Sequence, residues 1–509
     1  MSPTGSKVKH LADLQSLLDA RRLEGASIVH CHGVFDLLHP GHFRHLTSAK
    51  SLGDILVVTI TADEYVGKGP GRPAFPHSLR AEALEGLEVV DYVAIVHESS
   101  ALSAIKAVRA DYFVKGAEYR EDNDDPTGMI RVERELIEEV GGQVVFTDDI
   151  VFSSSTLINT FMPQHSAETT QWLNDIRDSV GVEKVLEWLD AMASLHVVVV
   201  GETILDVYTE CDTLGVASKE PVLCLNRKGS VAHLGGALAV ARHCAGLGAR
   251  VTVITGINSR DEHSQELEQF RADGIQLETV HTDPRPTIRK ERILDSKTSS
   301  RVIELYDMND SPLDGSALQA IIELIEHHSA LDPVMLVADY GHGLLTDEVV
   351  SLLCSRSNFL ALNAQTNAGN HGFNSVRKYF RADFVTLNGH EAKLESRRRH
   401  VDLSSYIPEL RTDLGAQAVL VTQGGSGLDL FLENRQAVHA PALAPFVSDR
   451  VGAGDAVLSV TALLIRLGAP PEVVGLLGNV VGAWAVSFLG NEKSLELGSL
   501  KRQVTSILK

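Results

Sequence analysis

Short runs of β-branched and aliphatic residues alternate with segments of helical period along this chain. That alternation restricts the fold more than any other feature. Ser27–His32 reads as a short strand. His42–Leu52 reads as a helix, with Phe43, Leu46 and Ala49 at helical spacing, and Ile55–Thr61 (ILVVTIT) as a strand buried on both faces. A Gly/Pro loop at 67–76 leads into a helix over 78–87, a strand at 90–96, a helix at 101–109 and a strand at 111–115. A helix–strand pair follows at 131–140 and 143–147. Strands joined through helices by short connections imply a parallel sheet covered on both faces, so the spacing predicts an α/β fold. The first unit is expected to span 1–165. A polar, helix-prone stretch at 166–192 predicts a linking helix, and HVVVV (196–200) opens a second α/β unit expected to span 193–509.

A chain of 509 residues is too long for one ordinary core and points to two or three domains. With 44% hydrophobic and 22% charged residues it has the composition of a soluble globular protein. A formal charge of −21 argues against a non-specific nucleic-acid binder, so cations that handle anions must be gathered locally. Cys31, Cys211, Cys224, Cys244 and Cys354 are scattered, with no CxxC pair, as expected in a reducing compartment. The N-terminus, MSPTGSKVKHLADL, lacks the apolar stretch of a signal peptide, and no run of about eighteen apolar residues suggests a membrane span. A cytoplasmic protein without a membrane partner is expected.

Residues 30–46 read HCHGVFDLLHPGHFRHL, in which His39 and His42 bracket Pro40-Gly41 where a strand gives way to a helix. A helix start offers unpaired N–H groups and a positive dipole end to phosphate, and Gly33 and Gly41 leave room for a ligand near the backbone. Three residues apart on a helical turn, the two imidazoles share a face and can donate to phosphate oxygens. A surface turn with incidental histidines fits the spacing too. A zinc site needs a third ligand, and nothing nearby supplies one; no protein-held metal is expected.

HGVFDLLHPGHFRHLTSAKSLGDILVVTITAD closely resembles the signature of the nucleotidylyltransferase superfamily that includes cytidylyltransferases and heptose-1-phosphate adenylyltransferases. The resemblance implies a Rossmann-like N-terminal domain in which His39 and His42 stabilise a triphosphate while its α-phosphorus is attacked and pyrophosphate leaves. It also assigns phosphate or nucleotide contacts to Gly33, Phe35, Asp36 and Lys50. The loop Gly71-Arg72-Pro73 with Arg80, the turn Val114-Lys115-Gly116, and Ser154, Ser155 and Thr156 in SSST (153–156) match later family motifs.

Near the C-terminus stands DRVGAGDAVLSVTALLIRLG (449–468), a Gly-rich turn entering an apolar helix. Such a turn places backbone N–H groups where they can stabilise a phosphoryl group in transfer, with Asp455 beside them to take a hydroxyl proton. Together with VVVVGETILDVY (197–208), LGGALAVARHCAGLGARVTVITGIN (234–258), ADYGHGLL (338–345) and TLNGHEAKL (386–394), this resembles the ribokinase-like sugar kinases. The resemblance implies a ribokinase-like α/β sandwich domain. It places Asp455 as catalytic base, Gly452, Ala453 and Gly454 at the phosphates, Asn388 and Glu391 near the Mg²⁺ and phosphates, and Asp206, Gly235 and Gly236 at the sugar.

The composite is similar to the bifunctional heptose-7-phosphate kinase and heptose-1-phosphate adenylyltransferase family, with the two domains in reversed order. That implies nucleoside triphosphate and sugar phosphate as ligands, Mg²⁺ and ATP as cofactors (CTP being possible for the N-terminal domain), and a homodimer. The chain departs from the pattern at Leu238, Asn363 and Gln365, where that family carries an Asn, an Asp and a Lys. Arg289, Lys290 and Arg292 in TIRKERI are compensating cations or an exposed charged strand. Two readings stay open: a two-step enzyme, or an active nucleotidylyltransferase with a kinase-like domain kept for sugar binding or dimerisation.

Overall fold

The structure, a computed structural model, describes residues 6–67, 72–116, 129–147, 165–433 and 435–508. Its contacts divide into two units, Met1–Ala167 with Gly498–Lys509, and Glu168–Leu497.

In the first unit β1 (Ile28–Gly33), β2 (Ile55–Thr61), β3 (Tyr92–Val96), β4 (Tyr112–Gly116) and β5 (Gln143–Thr147) form one sheet in the order β3-β2-β1-β4-β5. All neighbours run parallel. Alternation along the strands builds a core on each face. Leu56, Val58 and Ile60 pack with Leu46 and Ala49 of the helix Pro40–Lys50, while Ile55 and Val57 pack with Leu14 and Leu18 of the helix Leu11–Leu23. The strand order reverses direction between β1 and β4, so the crevice at their carboxyl ends is the natural place for a ligand.

The second unit carries nine further strands in one sheet. They are β6 (His196–Gly201), β9 (Arg250–Ile257), β10 (Gln276–His281), β13 (Val334–Asp339), β14 (Phe359–Ala364), β15 (Phe384–Asn388), β16 (Ala418–Thr422), β17 (Leu428–Leu432) and β18 (Val438–Ala440). The order is β10-β9-β6-β13-β14-β15-β16-β17-β18, parallel as far as β16. A separate four-stranded sheet, β12-β11-β7-β8, is built from β7 (Thr203–Val216), β8 (Leu223–Gly236), β11 (Ile288–Asp295) and β12 (Arg301–Asp307). Here the reversal lies between β6 and β13, whose carboxyl ends carry Gly201-Glu202 and Asp339-Tyr340.

Two boundaries differ from the sequence expectation. The stretch at 166–192 is two helices, Ala167–Ser179 and Val182–Ala191, broken at Gly181, whose φ of +83° disfavours a side chain. Leu173, Ile176, Val185 and Leu189 are buried, so this segment, polar in composition, has an apolar stripe that joins the second unit's packing. The chain's last helix, Leu497–Leu508, falls from Gly498 onward with the first unit, although it follows the second in sequence. No helix among the described residues is long and apolar enough to cross a membrane.

Candidate functional site

At the carboxyl end of β1 the chain turns through Phe35, which takes φ +48°, and starts the helix at Pro40 with His39 as its N-cap. His39 Nδ1 accepts from the Gly41 N–H at 3.1 Å, which assigns the ring proton to Nε2. That Nε2 is buried with no hydrogen-bond partner, and burial lowers the pKa of the ring. His39 therefore presents a neutral N–H donor at a helix start. His42 lies beside it, ring centroids 4.0 Å apart, backed by Phe35 at 5.2 Å.

Asp36 is the organiser of this loop. Its Oδ1 accepts from Ala74 N at 2.6 Å and Phe75 N at 3.2 Å, and its Oδ2 pairs with Arg72 at 2.9 Å, both side chains almost fully buried. The second guanidinium nitrogen of Arg72 is buried and has no partner, so the loop holds a further open donor. Lys115, at the end of β4, pairs with Glu133 and lies over the Phe113 ring. Ser154, Ser155, Thr156 and Gly71 lie outside the described residues.

Two expected phosphate contacts, Lys50 and Arg80, have protein partners in this structure. Lys50 is at the far end of its helix, ~16 Å of helical rise from His39, with its ammonium on Asp91 Oδ2 and Asp54 O, each at 2.5 Å. Arg80 is buried and spends four of its five N–H donors on Asp63, Thr61 O, Val34 O and Phe75 O. Its charge ties the loop after β1 to the end of β2. Arg80→Met strands those acceptors and is expected to destabilise the first unit by about 3 kcal/mol, read in denaturant unfolding. The family pattern assigns Lys50 and Arg80 by their place in it, and sequence alone does not show the carboxylates they pair with, Asp91 and Asp63. The remaining histidines are pegs. His30 and His32 meet on Thr59 Oγ1 at 2.7 and 2.8 Å, and His45 reaches Thr147. Burial pushes the pKa of His32 down to about 3.

In the second unit Asp455 sits in the first turn of the helix Ala453–Leu467, whose N-cap Gly452 has φ +82°. A side chain at Gly452 would meet Asn491 Oδ1 at 2.1 Å. Asp455 Oδ1 accepts from the Tyr340 hydroxyl at 2.8 Å. Burial, with Asp206 nearby, raises its pKa to about 7. Asp206, on β7, is fixed by Arg292 at 2.5 Å and Asn491 at 3.3 Å. Gly235 leaves the space for that carboxylate: a Cβ there would stand 2.1 Å from Asp206 Oδ2. Gly236 starts the helix Ala237–Gly246, which includes the buried Leu238. Asn388 and Glu391 close a capping box on the helix Gly389–Ser396, and burial raises Glu391 to about 7. Asp455 adds to that rise, which places Glu391 within electrostatic reach of Asp455.

Three participants were not singled out in the sequence. Glu202, just past β6, accepts from Tyr340 N at 3.1 Å and His342 N at 3.0 Å, and burial beside Asp339 raises its pKa. Tyr340 donates to Asp455, and His342 joins Asp310 at 2.7 Å. The segments VVVVGETILDVY and ADYGHGLL resemble family landmarks without a role for these three residues; the switch point between β6 and β13 would have singled them out. Asn363, near the carboxyl end of β14, donates to Thr386 O of the neighbouring β15 at 2.7 Å.

Residues 194–496 match the family model described as pfkB family carbohydrate kinase, and residues 30–161 match the one described as Cytidylyltransferase-like. The Bifunctional protein HldE of Trichlorobacter lovleyi is 29% identical over 312 residues, 60% of this chain and 62% of that protein. The match thus spans less than two thirds of the relative's length. The Bifunctional protein HldE of Pelobacter propionicus is 37% identical over 159 residues, 31% of each chain. A variant phosphofructokinase-2 from Escherichia coli superposes with a TM-score of 0.51 at 15% identity, covering 62% of this chain and 99% of that one, a likeness of fold.

Proposed function

This chain belongs to the pfkB carbohydrate kinase family, and we propose that it is a two-site enzyme of nucleotide-sugar synthesis. The second unit phosphorylates a sugar or sugar phosphate, heptose-like by the resemblance of its motifs, and the first couples the resulting sugar 1-phosphate to a nucleotide. The observation that carries this reading is the buried Asp455, held by Tyr340 at a helix start beside the β6/β13 switch point.

In the kinase step Asp455 takes the proton of the acceptor hydroxyl, whose oxygen bonds to the γ-phosphorus as the bond to the ADP oxygen breaks. The N–H groups of the Gly452–Gly454 turn face the transferred group. Asp206, held by Arg292, orients the sugar. In the transferase step an oxygen of the sugar 1-phosphate attacks the α-phosphorus and pyrophosphate leaves. His39 Nε2–H and the open Arg72 nitrogen donate to the phosphates. His42 stands beside them on the same face.

Among the described residues no group of three His, Cys, Asp or Glu side chains is placed to hold a metal ion. Mg²⁺ would arrive on ATP, Asn388 and Glu391 would hold it in the second unit, and it would supply charge neutralisation on the phosphates.

The test is to supply Mg²⁺, ATP or CTP, and a panel of sugars and sugar phosphates, following ADP and pyrophosphate separately. Both products are expected. Pyrophosphate without ADP across the panel would leave the second unit a sugar-binding module.

A further inference from the structure

The loop that follows β14, residues 365–375, is braced by its own asparagines. Asn367 Oδ1 accepts from Asn370 N at 3.1 Å, and Asn370 Oδ1 accepts from Asn367 N at 3.1 Å. With both carboxamide oxygens on backbone N–H groups, both amide nitrogens are left to face acceptors. Asn367 Nδ2 donates to the Tyr340 carbonyl at 2.7 Å, and Asn370 Nδ2 donates to the same oxygen at 3.1 Å. Asn370 Nδ2 also donates to Gln365 O at 2.9 Å. Between these anchors the Thr366 N–H donates to Glu391 Oε1 at 3.2 Å.

Tyr340 is thereby held at each of its polar atoms. Its N–H reaches Glu202 at 3.1 Å, its carbonyl takes both amides, and its hydroxyl reaches Asp455 at 2.8 Å. The preceding residue is held as firmly. Asp339 accepts from Asn374 Nδ2, the Gly341 N–H and the Tyr379 hydroxyl, and pairs with Lys378. The turn after Tyr340 is packed against the same loop: a Cβ at Gly341, whose φ is +72°, would stand 2.9 Å from Asn370 Nδ2. A loop that only left β14 has no need of two amides on one carbonyl at the end of β13. A carbonyl oxygen has two lone pairs, and here both are filled from one side while Glu202 holds the N–H. The residue is left with one backbone orientation, and the phenol with one place to reach.

We propose that Asn367 and Asn370 are positioning residues of the kinase unit: through the Tyr340 carbonyl they aim the phenol at Asp455, and through Thr366 the same loop holds Glu391, so that one segment sets the base against the residue that would hold Mg²⁺. This rests on the kinase reading above. It gives the segment LNAQTNAGN, where the chain departs from the heptose kinase pattern, a task of its own. Gln365 joins the clamp through its backbone, donating to Asp339 O at 2.8 Å and accepting from Asn370, so a neutral side chain at this position leaves the clamp whole. Burial raises the pKa of Asp455, and the Tyr340 hydrogen bond acts against that rise because it favours the ionised form. The charged groups that face this carboxyl are Asp206 on β7, Lys290 on β11 and Glu391.

The test follows ADP release by the full chain as a function of pH, with the panel sugar that the wild type turns over fastest. Tyr340→Phe is expected to lower kcat about tenfold on the alkaline plateau and to move the acid limb of kcat/KM to higher pH, because the carboxylate has lost its donor. Asn370→Ala is expected to lower kcat about tenfold, to leave KM for ATP within about twofold, and to move the limb in the same direction. Added to Tyr340→Phe it lowers kcat no further, because both substitutions act on one hydrogen bond. An Asn370→Ala chain with wild-type kcat, a lowered kcat without a shifted limb, or a loss that multiplies with that of Tyr340→Phe overturns the positioning role and spares the kinase reading. Where Asn370→Ala does not stay folded by circular dichroism, Asn367→Ala, on a half-buried side chain, takes its place in the cycle. Loss of the fold in both overturns the proposal, since the amides then serve the fold and not the base. No ADP from the wild type with any sugar of the panel overturns the kinase reading, and the positioning role with it.

Discussion

Asp455→Asn is expected to reduce ADP release about 10³-fold while pyrophosphate release stays at the wild-type rate. The amide preserves the shape and can still meet the Tyr340 hydroxyl, but it cannot take a proton. Burial decides the protonation of the wild-type group. The helix start favours the carboxylate, yet the pKa stands at about 7, so desolvation outweighs the dipole. The kinase kcat/KM of the wild type should therefore fall as pH drops through about 7, and this limb should vanish in the Asn variant. The sign for stability is separate. The folded carboxyl keeps its proton up to about 7, whereas the unfolded one releases it near 3.8. Between these values the native state binds more protons, so this group removes stability as pH rises, and Asp455→Asn should be more stable than the wild type at pH 8. Loss of both products in a folded Asp455→Asn chain would sink the independence of the two sites. ADP release within tenfold of wild type would sink the base assignment.

The strand–helix alternation was legible because both sheets are parallel and buried. ILVVTIT became β2 and 143–147 became β5 at the residues read from sequence, the other first-unit elements read there moved by at most two residues at their ends, and the helix Leu11–Leu23 was not read. Helix ends depend on caps, and His39 is an unusual one, so the helix begins at Pro40 rather than His42. The two-helix segment at 167–191 was not legible as packed structure, because its few apolar residues are sparse until a partner face is known. The two helix-start turns of the proposed sites were legible because their glycines leave a spacing in the sequence. Partners were not. Whether a cation faces a ligand or a carboxylate depends on residues far away in sequence: Lys50 on Asp91, Arg80 on Asp63, Arg292 on Asp206. In a chain of net charge −21 most cations near the sites are claimed by carboxylates, and the few left open are the informative ones.

His39 is open in that sense at one nitrogen and engaged at the other, and a single substitution separates the two roles. His39→Asn keeps a side-chain acceptor for the Gly41 N–H and removes the Nε2–H donor. Pyrophosphate release should fall about 10²- to 10³-fold, the cost of one preorganised donor to developing phosphate charge, while ADP release is unchanged. Stability should stay within about 0.5 kcal/mol of wild type, because Asn is among the best N-caps. His39→Ala removes both functions. It should match the Asn variant in pyrophosphate release and lose a further ~1 kcal/mol of stability. The contrast fixes the meaning of the result. If the Asn variant kept pyrophosphate release within threefold while Ala lost it, His39 would serve the reaction only by starting the helix. The donors to the triphosphate would then be Arg72 and His42. If both variants fail equally in catalysis while only Ala is destabilised, the Nε2 proton itself is what the reaction requires, and the helix start is its mount.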